Sequence, residues 1–122
     1  MFLLNLTYVK PLEEIERLLP EHIRFLDQGY ARGKFLCSGR KNPRTGGVIL
    51  CRCESREEAE GFRDQDPFYR EGAARYEITE FLPTKMSPGF QALLEGGHGG
   101  WAGPGGSGGS GGFVPPAAIL SL

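Results

Sequence analysis

The chain has 122 residues, fourteen basic and fifteen acidic side chains and a net charge of −1, with no long block of either sign. That balance argues against nucleic acid or an anionic membrane surface as partner, and no run of residues is long and apolar enough to suggest a membrane span. Eleven of the nineteen glycines crowd into residues 96–112, GGHGGWAGPGGSGGSGG. The expected folded unit is therefore residues 1–88, with 89–122 a Gly-rich linker and short apolar tail (FVPPAAILSL at its end), either natural or engineered.

A unit of that size buries a modest fraction of its surface and commonly draws stability from a disulfide, a metal or a second subunit. The start, MFLLNLTYVK, has no basic region before its apolar run and no small-residue cleavage site after it, so no leader is expected. Cys37, Cys51 and Cys53 are an odd number, and the last two flank one arginine in an apolar run. The expectation is buried thiols in a reducing cytoplasm. Three strand-borne cysteines do not match the turn-borne spacing of structural zinc sites, so no metal is expected.

FLLNLTYV, residues 2–9, is apolar, β-branched and aromatic over strand length. From Pro11 the period changes: Leu12, Ile15, Leu18, Leu19, Ile23, Phe25 and Leu26 recur at spacings of three and four, as in an amphipathic helix. Pro20 predicts either a kink there or a short opening turn before a main helix over 20–32. KFLCSGR, 34–40, reads as the second strand, NPRTGG as a connection, and GVILCRC, 47–53, as the third strand, antiparallel to the second. Ser55 followed by Glu58 is a capping box opening a second helix, with Ala59 and Phe62 on its buried side. DQDPFY ends that helix, and ARYEITEFL, 74–82, alternates as a fourth strand.

Strand, helix, strand, strand, helix, strand, joined by right-handed crossovers, is the ferredoxin-like α+β arrangement: a four-stranded antiparallel sheet with both helices on one face. Strands one and three are apolar at nearly every position, whereas a sheet with one wet face alternates. The second face then needs its own cover, and a second copy of the sheet is the economical one, giving a two-fold homodimer of dimeric α/β-barrel type.

Two residues stand out chemically. His22 lies on the apolar stripe of the first helix, four residues after Leu18 and four before Leu26. A lone histidine there is ordinarily a core residue with one satisfied hydrogen bond; with a carboxylate beside it, it is a proton carrier near neutrality. Asp66 precedes a proline and is held out of helical backbone, so its side chain need not follow the helix surface. As punctuation, Asp-Pro is simply a helix stop.

His22 within EHIRFL, the stretch GKFLCSGRKNPRTGG at 33–47, the Ser-x-Glu-Glu-Ala opening of the second helix and DPF at 66–68 together resemble the YciI-like, or YCII-related, proteins over about residues 1–85. The resemblance implies a ferredoxin-like dimer whose pocket sets His22 beside Asp66. It also implies acid-base work by that pair, because one member of the family is a dehydrochlorinase acting on a hydroxylated ring. Ser38, Arg40 and Arg44 then fall near the pocket mouth, where a hydroxyl and two guanidinium groups can orient a substrate oxygen or hold an anionic group; otherwise they are a solvated loop. The functional expectation is a cofactor-independent lyase or isomerase acting on a small cyclic or aromatic hydroxylated molecule. The rivals are a binding module that holds such a ligand without chemistry and an accessory subunit.

Overall fold

In a computed structural model, residues 1–95 are described; the Gly-rich stretch, His98 and the expected apolar tail lie outside them. The elements run β1 (Phe2–Tyr8), α1 (Leu12–Ala31), β2 (Phe35–Arg40), β3 (Gly46–Cys51), α2 (Arg56–Gln65), α3 (Pro67–Arg70), β4 (Ala74–Glu80) and α4 (Pro88–Glu95). The sheet order is β2-β3-β1-β4, with every neighbouring pair antiparallel. This is the ferredoxin-like α+β fold that the element order predicts.

Alternation decides which side chains meet the helices. Phe2, Leu4 and Leu6 of β1 face inward, level with Cys51, Ile49 and Gly47 of β3 and with Glu80, Ile78 and Tyr76 of β4. Against them pack Ile15, Leu18, Phe25 and Leu26 of α1 and Ala59 and Phe62 of α2, forming one buried cluster. Two glycines let backbones approach. A Cβ on Gly29 would overlap the Phe35 ring, and one on Gly46 would overlap the Leu6 carbonyl oxygen. The first lets α1 settle on β2, and the second lets β3 close on β1.

Three local expectations are corrected. The first helix is a single element, Leu12–Ala31, with Pro20 inside it, which removes the alternative of a short opening turn before a main helix over 20–32. Pro20 and Glu16, whose carbonyl the proline leaves unpaired, are both exposed, so water can satisfy that oxygen and the helix runs on. The buried stripe is Ile15, Leu18, His22, Phe25, Leu26 and Gly29, while Leu12 is exposed. In the capping box, Ser55 Oγ accepts from the Glu58 amide at 3.1 Å, but the Glu58 carboxylate takes the Glu54 amide, at 2.7 Å, in place of the cap's own.

The cysteines also differ from expectation. Cys51 and Cys53 are buried but joined in a disulfide, and Cys37 is exposed. Because β3 ends at Cys51, the chain bends through Arg52 and draws the two Cα atoms to 5.6 Å, inside the range a disulfide spans. Extended backbone would hold them at roughly 6.6 Å.

Candidate active site around His22 and Asp66

Three elements converge on one carboxylate. The α1 stripe carries His22 inward; the pre-proline backbone at Asp66 (φ −76°, ψ 122°) ends α2 and opens α3 in one residue; strand alternation turns Tyr76 of β4 toward the helices. His22 Nδ1 lies 2.8 Å from Asp66 Oδ1, the Phe68 amide donates to the same oxygen at 2.9 Å, and the Tyr76 hydroxyl donates to Oδ2 at 2.5 Å. His22 and Asp66 are both fully buried. The Phe68 ring stacks on the imidazole, with centroids 4.0 Å apart and planes 8° apart.

This geometry fixes the proton inventory. A carboxylate that already accepts from an amide and a phenol is an acceptor toward the histidine as well, so Nδ1 carries the proton and donates. In the neutral ring the lone pair is then on Nε2, which is buried without a hydrogen-bond partner. Burial first, and then the Asp66 charge, raise the Tyr76 phenol well above its ordinary value, so it stays a donor. Tyr76 was not singled out by the sequence. The available signal was its strand parity, level with Leu6 on the core face.

The other expected site residues spread along the neighbouring edge. A bulge between Phe35 and Cys37 shifts the β2 register, so that Ser38 is opposite Ile49 and Arg40 opposite Gly47, on the helix-facing side. Without that extra residue both would turn to the other face. Ser38 Oγ is 2.7 Å from the Tyr30 hydroxyl of α1. Arg44 donates to Glu16 at 3.3 Å and hydrogen-bonds Tyr8. Burial raises the Tyr8 phenol, opposed by the Arg44 hydrogen bond and charge, and both Asp66 and Arg40 act on it more weakly. Tyr8 meets Phe68 edge-on at 5.9 Å. The structure therefore brings His22 and Asp66 into contact, pairs Arg44 with Tyr8, whose ring meets Phe68, leaves Arg40 exposed at the end of β2 on the helix-facing side, and ties Ser38 to Tyr30.

One surface depression among the described residues is lined by Val9, Tyr69, Arg70 and Arg75 among others, and another by Arg56, Arg63 and Tyr76 with its strand neighbours. His22 lines neither. Among the described residues no cluster of His, Cys, Asp and Glu has the make-up of a metal site, and no helix is long and apolar enough to cross a membrane.

Fold and site together define a small ferredoxin-like domain with a carboxylate-held histidine in its core. The chain belongs to the YCII-related domain family, which matches over residues 1–82. Among solved structures, it is similar to the 5-chloro-2-hydroxyhydroquinone dehydrochlorinase of Burkholderia phenoliruptrix, solved in complex with 2,5-dihydroxybenzoquinone. The TM-score is 0.57 at 20% identity, over 67% of this chain and 94% of that one. At that identity the likeness speaks for the fold. A search of curated proteins matched none.

Proposed function

We propose that this YCII-related protein binds a small hydroxylated cyclic or aromatic molecule and moves a proton on it, with His22 as proton carrier and Asp66 orienting it. The observation that carries this reading is the one-sided state of His22: Nδ1 is bound to a buried carboxylate and Nε2 is left without a partner. A hydrogen bond from a carboxylate-held imidazole favours one tautomer and raises the basicity of the free nitrogen, which suits abstraction of a hydroxyl or ring proton in an elimination or isomerisation. No organic cofactor or metal is called for by that chemistry. Arg44, at Tyr8, and Arg40 hold the developing oxyanion, and Ser38 orients a substrate oxygen. The working unit is a homodimer with its two sheets face to face.

The full burial of His22 supports the rival reading, in which the same pair ties α1 to the α2–α3 junction and the protein holds a ligand without chemistry. A reacting molecule has to displace a side chain from above Nε2. The deciding experiment offers the protein 2,5-dihydroxybenzoquinone as a binding probe and a chlorinated hydroxyhydroquinone as substrate, with chloride release as the readout. Turnover that falls at least about 100-fold in His22→Ala and Asp66→Asn, in line with loss of a general base, supports catalysis. Binding that persists with no turnover in any variant supports the binding module.

A further inference from the structure

We infer that Tyr76 is a positioning residue of this site: its hydroxyl, donated to Asp66 Oδ2, holds the carboxylate so that Oδ1 is presented to His22 Nδ1. The inference rests on the functional reading above and deepens it.

Asp66 carries more donors than a capping role requires. A structural aspartate at the head of a one-turn helix needs only the backbone contact, which the Phe68 amide supplies at 2.9 Å. Asp66 takes two side-chain donors besides, one on each oxygen and from two different elements. Bonds to both oxygens remove the rotation about the Cβ–Cγ bond that would let the carboxylate swing away from the imidazole. A carboxylate bonded on one side only would sample orientations in which Nδ1 loses its acceptor, and the histidine tautomers would then mix.

The position of Tyr76 suits the task. Its strand is held against β1 along its length, with Leu6 directly opposite. Its ring packs edge-on against Tyr69 of α3 at 5.7 Å, and Arg63 of α2 bears on it electrostatically. The Asp66 carboxylate meets His22 from α1 and bears electrostatically on Tyr8 from β1, while Arg63 from α2 and Tyr69 from α3 act on Tyr76 itself. The side chains that hydrogen-bond the carboxylate are those of His22 and Tyr76. Tyr76 also lines a surface depression together with Arg56 and Arg63 of α2 and its neighbours along β4. Its hydroxyl donates to Asp66 Oδ2 and His22 Nε2 has no hydrogen-bond partner, so its polar contact with the pair runs through Asp66.

The test compares wild type, Tyr76→Phe, Asp66→Asn and the double variant by NMR titration of the His22 imidazole, together with the pH profile of turnover. With the phenol gone, the carboxylate is free to turn about its Cβ–Cγ bond, so Nδ1 loses its acceptor part of the time and the imidazolium loses part of its charge partner. The His22 midpoint is expected to fall in Tyr76→Phe and its ring nitrogen chemical shifts to move toward a mixture of tautomers, with the acid limb of the kcat profile following it and KM changing less than about threefold. In the Asp66→Asn background the same change should have no effect on the histidine. A His22 midpoint that is unchanged or raised in Tyr76→Phe overturns the inference, as does an equal shift in the Asp66→Asn background. Should Tyr76→Phe fail to fold, the phenol of Tyr76 is titrated in wild type and Asp66→Asn; a value that does not fall when the aspartate charge is removed overturns it. If the histidine shifts as expected and no variant turns over substrate, the positioning role stands and the catalytic reading fails.

Discussion

At the scale of single residues, the fold places three tyrosines where ionisation is penalised. Tyr76, Tyr30 and Tyr8 all have phenols raised by burial, Tyr76 most, with Asp66 adding its charge. The folded chain thus keeps these protons after the unfolded chain has released its own near pH ~10. Unfolding then releases protons, and stability, fully present below that pH, falls as pH rises through the folded values. Urea-unfolding midpoints should decline above pH ~10, and Tyr76→Phe should flatten the decline by up to one proton's worth of slope. An identical slope in the variant would remove Tyr76 from the account. Position on a stripe was enough to single out His22 from the sequence, and the pre-proline rule anticipated the extended backbone of Asp66. Tyr76 was hidden because alternation reports which face a side chain takes, and not which atom its hydroxyl reaches.

At the scale of elements, α1 is held to the sheet by an aromatic contact that needs an absent side chain. Gly29 faces Phe35, whose ring also meets Phe25 at 5.5 Å, Tyr30 at 6.0 Å and Phe62 at 5.0 Å. The ring is locked on several sides and cannot give way to a methyl group. Gly29→Ala is expected to destabilise the protein by about 1–3 kcal/mol, since overpacking a tight core outweighs the gain in helix propensity. Combining it with Phe35→Leu, which removes the clashing ring atoms, should give less than the sum of the two single effects in a double-mutant cycle. Additive effects would mean that the contact is not the cause. The period change from two to three and four made the order of elements legible. The continuous α1 was not, because the cost of Pro20 depends on whether its orphaned carbonyl is wet, a property of the packed helix. The bulge in β2 was likewise invisible: FLCSGR carries no residue that demands it, yet it decides which way Ser38 and Arg40 face.

At the scale of the whole molecule, the sheet has one covered face and one whose chemistry varies from strand to strand. On the outer side, Thr79, Leu3, Leu50 and Cys37 form one row across the sheet, and Glu77, Asn5, Val48 and Gly39 form the next. The apolar part is confined to the central strands, where Leu3, Val48 and Leu50 are half-buried in the single chain, and β4 lines it with polar residues. Asn5 carries a buried side-chain oxygen with no partner in that central strip, which a second chain bringing a donor would satisfy. If two copies meet here, a carboxylate at position 50 must be desolvated beside Leu3 at the seam, whereas on a free surface it stays in water at little cost. Leu50→Glu is therefore expected to shift the protein from dimer to monomer mass in light scattering while leaving its circular dichroism unchanged. Wild type and variant both eluting as monomers would remove the second copy from the proposal, and a dimer unaffected by the charge would place the interface elsewhere.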